Sequence, residues 1–179
     1  MKKVFIVLAV LLCSVAVFAA DNSFNFSATP YTVQFVTSSA AKETGTSSYG
    51  VGAELTYKRN IWNGIYAEAG YGWDTFIYAN KEVKAYTNVI FFAGVGYKYD
   101  FDAKWNAEIH YDAACDAAFY AGEAGDAVTI RTGLGVGYNV TDKLTATFKV
   151  DGTFGFASKD GANYVRYRVI PMIGCSYNF

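Results

Sequence analysis

Residues Val128–Asp151 read VTIRTGLGVGYNVTDKLTATFKVD, and the pattern in this stretch decides the fold. Val128, Ile130, Thr132, Leu134, Val136 and Tyr138 share one parity, while Thr129, Arg131, Gly133, Gly135 and Gly137 share the other. After a short break over 140–143 the alternation resumes, with Leu144, Ala146, Phe148 and Val150 against Thr145, Thr147, Lys149 and Asp151. A period of two marks a strand with unlike faces, and no helical stripe competes with it here. The stretch is a β-hairpin with one apolar face and one face of glycine, threonine and charge. Folding it about the 140–143 turn sets Arg131 opposite Asp151.

The same period runs outward in both directions. It predicts eight strands, over about 30–37, 48–58, 64–75, 85–99, 104–114, 127–139, 144–156 and 163–179. Three connections are short, at 59–63, 100–103 and 140–143, and four are longer, at 38–47, 76–84, 115–126 and 157–162. Short and long connections alternate, as in a meander whose tight turns gather at one end. An even strand number lets such a meander close antiparallel with no free edge. The expected fold is all-β, an eight-stranded antiparallel up-and-down β-barrel. Pro171 lacks a backbone donor, so the last strand is expected to carry a bulge or local break.

Composition narrows the class. Of 179 residues, 53% are apolar and 18% aromatic, which excludes a disordered chain. Charged residues make up 17%, against roughly 25% in soluble domains. A net charge of -1 gives no basic field for phosphate backbones, so nucleic acid is not an expected partner. The N-terminus has Lys2 and Lys3 ahead of an apolar run, Val4 to Phe18, and ends in Val17-Phe18-Ala19 with small residues at the processing positions. This is the plan of a cleavable signal peptide over 1–19, leaving a barrel domain over 20–179.

Interior width decides which face points inward. Eight strands enclose only enough room for side chains. The glycine-rich polar face fits such a lumen, and the face of Tyr, Trp, Phe and Val does not. The inward acids are then Glu54, Glu68, Asp74, Glu108, Asp112 and Asp151, and the inward bases Lys58, Lys98, Arg131, Lys149, Arg166 and Arg168. Equal numbers suit an interior of paired charges, because an unpaired enclosed charge is costly. Asp151 is expected near Arg166 and Arg168. Glu54 and Glu68 are expected to face each other about the 59–63 turn, which requires a cation from across the lumen. The only histidine, His110, lies between Glu108 and Asp112 on the inward face and is expected to join the same network. The outward face would meet lipid, making this a transmembrane barrel. Tyr57, Trp62, Tyr97, Tyr99, Trp105, Tyr138 and Tyr177 near the short turns would form one interfacial girdle, and Tyr49, Tyr71, Trp73 and Tyr111 the other.

Two strands end alike, in Gly94-Val95-Gly96-Tyr97 and Gly135-Val136-Gly137-Tyr138, each before a short polar turn. The last strand ends in Phe179, preceded at alternate positions by Tyr177, Cys175 and Ile173. With the signal peptide and the eight amphipathic strands, the chain resembles the small eight-stranded outer-membrane β-barrels of Gram-negative bacteria, the group containing OmpX and the OmpA transmembrane domain. The resemblance covers about 24–179. It implies a place in the bacterial outer membrane, with short periplasmic turns and longer extracellular loops. It also implies a monomer among outer-membrane lipids, assembled by the barrel-assembly machinery through a C-terminal signal at Tyr177 and Phe179. The implied role is structural or surface-interacting, with an extracellular ligand met through 38–47, 76–84, 115–126 and 157–162.

No catalytic, cofactor or metal site is expected. His110 has no second histidine, inward cysteine or identifiable serine partner in the sequence. The competing readings are a lipid-modifying enzyme on the same scaffold and a narrow low-conductance channel through the glycine-rich lumen. Cys115 and Cys175 fall at opposite ends of non-neighbouring strands, so no disulfide is expected.

Overall fold

The computed structural model describes residues 22–38, 46–78, 84–120, 123–159 and 162–179. Eight strands follow one another round a closed antiparallel barrel: β1 (Asn22–Ser38), β2 (Thr46–Trp62), β3 (Ile65–Tyr78), β4 (Lys84–Asp100), β5 (Trp105–Tyr120), β6 (Glu123–Asn139), β7 (Leu144–Lys159) and β8 (Ala162–Asn178). Each pairs with its sequence neighbour, and β1 pairs with β8 to close the wall. The expected signal peptide at 1–19 lies outside the described residues.

Most strands are longer than expected. β1 begins at Asn22 rather than near 30, because its first half runs in the opposite parity. Phe24 and Phe26 point outward before Pro30, whereas Tyr31 and Phe35 point outward after it. The parity flips because Pro30 and Tyr31 are both exposed, and the β1 register shifts there on both its edges. This is the β-bulge that a proline in a strand demands. Pro171 of β8 falls within the same interruption of the β1–β8 ladder, so the irregularity expected of Pro171 lies in the strand facing it. The expected loops shrink as a result. Strand pairing extends to Tyr120 with Glu123 and to Lys159 with Ala162, so 115–126 and 157–162 are mostly wall. The first two loops are also trimmed by Ser38, Thr46, Tyr78 and Lys84, and 39–45 and 79–83 lie outside the described residues.

The turn between β2 and β3 lies at Asn63-Gly64, not over 59–63. Both residues have positive φ, 46° and 85°. This matches the two-residue hairpin turn whose twist suits antiparallel strands. A Cβ at Gly64 would collide with the Lys98 carbonyl oxygen. Gly64→Ala is expected to lower stability by about 1–3 kcal/mol through backbone strain and that clash. Urea unfolding of the refolded protein in detergent checks it, and an unchanged midpoint would refute this account of the turn. At 101–104, the Asp102 carboxylate accepts the Lys104 and Trp105 backbone N–H groups at 2.7 and 2.8 Å. These bonds hold its pKa below the ordinary aspartate value.

The distribution of side chains is inverted relative to a soluble barrel. Trp62, Val128 and Leu134 are 71%, 73% and 65% exposed, and Phe91, Ile109, Tyr111 and Phe148 also face out. Asp112, Asp151, Arg131 and Lys149 face in and are buried. A surface so apolar is stable in hydrocarbon and would aggregate in water. Strands of 14–17 residues exceed the roughly 9–11 that a tilted strand needs to cross a bilayer. Aromatics crowd the turn end: Trp105 and Tyr138 rings lie 4.9 Å apart, and Trp62, Tyr97, Tyr99 and Phe101 are exposed beside them. Tyr71, Trp73 and Tyr111 are exposed on the outer face, and the side chain of Tyr49 lies outside the described set. Cys115 and Cys175 are both free and exposed.

Candidate functional site

The lumen is filled by side chains, and its centre is a connected set of charges. Arg131 on β6 donates from Nη1 to Glu54 Oε2 at 2.5 Å and from Nε to Asp112 Oδ2 at 2.9 Å. Its Nε also lies 3.3 Å from Asp151 Oδ2. Lys149 donates to Glu54 Oε1 at 2.6 Å, and the Thr56 hydroxyl donates to the same oxygen at 2.8 Å. Lys58 donates to Glu108 Oε2 at 2.5 Å and lies 3.8 Å from Glu68 Oε2. The guanidinium of Arg131 sits over the Phe92 ring at 3.6 Å. This gives the buried cation a π face as well as three carboxylates.

The strands place these groups where neighbour register alone does not. Glu68 faces Lys58, four positions along β2 from Glu54, because the turn sits at Asn63-Gly64. Glu54 faces Gly72 instead, and takes its cations from β6 and β7 across the lumen. Arg131 is opposite Thr153, and Asp151 is opposite Gly133. The Arg131–Asp151 contact is therefore diagonal rather than a directly facing pair. Asp151 faces Ile170 on β8, whereas Arg168 faces Thr153 and Arg166 faces Gly155, so the expected grouping of Asp151 with those arginines is replaced. Arg168 donates instead to Gln34 Oε1 at 2.9 Å and lies 3.8 Å from Asp74 Oδ2, and Arg166 is buried beside it in sequence.

Lys98 departs from the expectation. Its side chain is 44% exposed and lies 3.3 Å from the exposed Asp100. Parity places it inward, but it sits at the strand end, where the lumen opens. There a cavity of about 540 Å³ is lined by Asn22, Asn25, Lys58, Tyr66, Lys98 and Glu108, among others. The inward face is also less polar than its charges suggest. Ile90, Phe92 and Ala114 form a buried apolar cluster, and Ile170 and Met172 are buried too. Phe92 fits because Gly70 faces it, and a Cβ there would strike the ring.

His110 is 2% exposed. Its Nε2 lies 3.3 Å from Asp151 Oδ1 and 3.8 Å from Asp112 Oδ2, and its Nδ1 lies 3.9 Å from Glu68 Oε1. Neither nitrogen has a hydrogen-bond partner. The sequence places His110 beside Glu108 and Asp112, but not beside Glu68 or Asp151, which arrive from β3 and β7. Enclosed in the wall, His110 is out of reach of an acyl chain on the outer surface, where a lipid-modifying site would need it. At the chain end, Asn22 and Phe179 exchange backbone hydrogen bonds at 3.1 and 2.9 Å. The Phe179 ring stacks 5.5 Å from Phe24 and 6.4 Å from Tyr177.

This architecture has solved counterparts. Neisserial surface protein A superposes with a TM-score of 0.61 at 13% identity, over 90% of this chain and 100% of that one. The outer membrane protein OprG from Pseudomonas aeruginosa gives 0.59 at 11% identity, over 90% and 96%. The fold is that of the small outer-membrane barrels. No family model and no curated protein matches the sequence. Identity this low carries the architecture and leaves the role of each interior residue to be argued from this chain alone.

Proposed function

We propose that this protein is an outer-membrane β-barrel with a structural or surface-interacting role and a sealed, non-catalytic interior. The observation that carries the reading is the inversion of side chains: a continuous apolar belt outside and a buried ion network inside. A wall of this kind satisfies its backbone internally and its charges across the lumen, which is what hydrocarbon requires of a spanning structure. Arg131 and Lys149, both buried, block the bore with paired charge, which supports a plugged barrel over a channel. On this reading residues 1–19 are removed on export, and Tyr177 and Phe179 present the C-terminal strand to the assembly machinery. The barrel works as a monomer, and any extracellular partner meets the end opposite the tight turns. The test is cell fractionation with an unheated and a heated detergent gel. The expected result is recovery in the outer membrane, with a folded band that migrates differently after boiling. Recovery as a soluble periplasmic monomer would overturn the proposal.

A further inference from the structure

Around His110 the lumen holds more acid than base. Contacts of 4 Å or less join Glu54, Glu68, Glu108, Asp112 and Asp151 to Lys58, Arg131 and Lys149 in one cluster. Five carboxylates against three cationic side chains leave two negative charges when the imidazole is neutral. A proton on His110 removes one of them, and a divalent cation removes both.

Hydrogen bonding does not account for how these groups are arranged. Both nitrogens of His110, both oxygens of Glu68, Oδ1 of Asp112 and both oxygens of Asp151 are buried without a hydrogen-bond partner. Their separations from His110, 3.3–3.9 Å, exceed the roughly 2.7–2.9 Å of charge-assisted hydrogen bonds. Glu68 lies on the Nδ1 side of the ring and both aspartates on the Nε2 side, and an ion takes only one of these nitrogens. One nitrogen of His110 and one oxygen each of Glu68 and Asp112 lie within 4.8 Å of one another. Arg131 Nε faces Oδ2 of both Asp112 and Asp151, so Asp112 Oδ1 is left for another partner, while Asp151 Oδ1 lies against His110 Nε2. An outer partner that orients ligating carboxylates is a regular part of a metal site. Glycine makes the space: a Cβ at Gly94 would strike Asp112, and one at Gly133 would strike Asp151 and the His110 ring.

We propose that Glu68, His110 and Asp112 bind a divalent transition-metal ion of the zinc class inside the barrel. One imidazole among carboxylates, without sulfur, suits such an ion better than calcium, magnesium or cuprous copper. The ligands come from β3 and β5, so the ion braces two strands that are not neighbours in the wall. The cavity at the turn end stops one side chain short of the ligands, at Lys58, which lines it and contacts Glu68. The inference rests on the interior geometry and holds whichever membrane houses the barrel.

The experiment uses untagged full-length protein, stripped with chelator in denaturant, refolded in detergent and incubated with zinc chloride alone. After desalting, about one zinc per folded chain is expected by atomic emission, because ligand geometry fixes a single ion. His110→Gln and Asp112→Asn are expected to bind at least about tenfold more weakly, with the heat-modifiable band certifying that each variant is folded. Cobalt chloride in place of zinc is expected to give the intense visible absorption of a low-coordinate site with an imidazole ligand. Zinc content in the wild type no higher than in folded His110→Gln overturns the proposal and leaves His110 as a protonated bridge between carboxylates. Should neither variant fold, the wild-type cobalt spectrum decides, and the weak spectrum of hydrated cobalt overturns the site.

Discussion

Glu54→Gln is expected to destabilise the barrel by about 3–5 kcal/mol, because it strips one anion from two buried cations. Glu54 accepts from Arg131 through both oxygens, and from Lys149 and Thr56 through Oε1. The amide keeps the shape but not the charge. Its NH₂ group would face one of these donors with nothing to accept. Arg131 keeps Asp112 and Asp151, whereas Glu54 is the only anion the described contacts give Lys149. Lys149→Met should therefore recover part of the loss in the Glu54→Gln background, though it destabilises the wild type on its own. Urea unfolding in lipid vesicles, analysed as a double-mutant cycle, isolates this coupling. A Glu54→Gln barrel within about 0.5 kcal/mol of wild type would show that water screens the cluster and that the ion pairs do not hold the wall.

Leu134→Arg is expected to cost about 2–4 kcal/mol in a bilayer, the penalty for a lipid-facing cation near the midplane. Leu134 is exposed on β6, four residues from Tyr138, whose ring packs on Trp105 at the turn end. A tilted strand carries that separation roughly 10 Å into the hydrocarbon. Val140→Arg, beyond the girdle, should cost only about 0–1 kcal/mol. Equal small effects at both positions would mean that the apolar belt does not face lipid. The contrast reads the orientation of the wall directly, independently of gel migration.

Much of this wall was legible because parity is a local property. Val128–Asp151 displays two faces without reference to the rest of the chain, and most of the residues assigned inward are buried. Parity failed where an extra residue intervenes. The Asn22–Thr29 half of β1 alternates as clearly as β6, but Pro30 and Tyr31 both point out and invert the count. The β2–β3 turn lies at Asn63-Gly64, a strong short hairpin signal that alternation alone passes over. Lys98 shows a different limit: inward parity continues to the strand end, where the lumen has already opened. Cross-lumen partners were illegible in principle. Glu54 meets Arg131 only after the wall closes with a particular stagger, which no pair of adjacent strands encodes. The approach of Glu68 and Asp151 to His110 has the same origin.

The two prolines give the wall a history as well as a shape. Pro30 and Pro171 are the only prolines in the chain, and both stand along the β1–β8 seam. That seam joins the first strand to be synthesised to the last, so its loop-closure entropy is the largest in the wall. Its ladder is also interrupted between Ala28 and Val33, where both prolines lie, so fewer hydrogen bonds offset that entropy. Closure is consequently the final and least compensated step in making the barrel. Until it is taken, β1 and β8 stand as two open edges, and an open edge is a template for another chain. The time between synthesis and closure is thus the interval in which this protein is most exposed to aggregation.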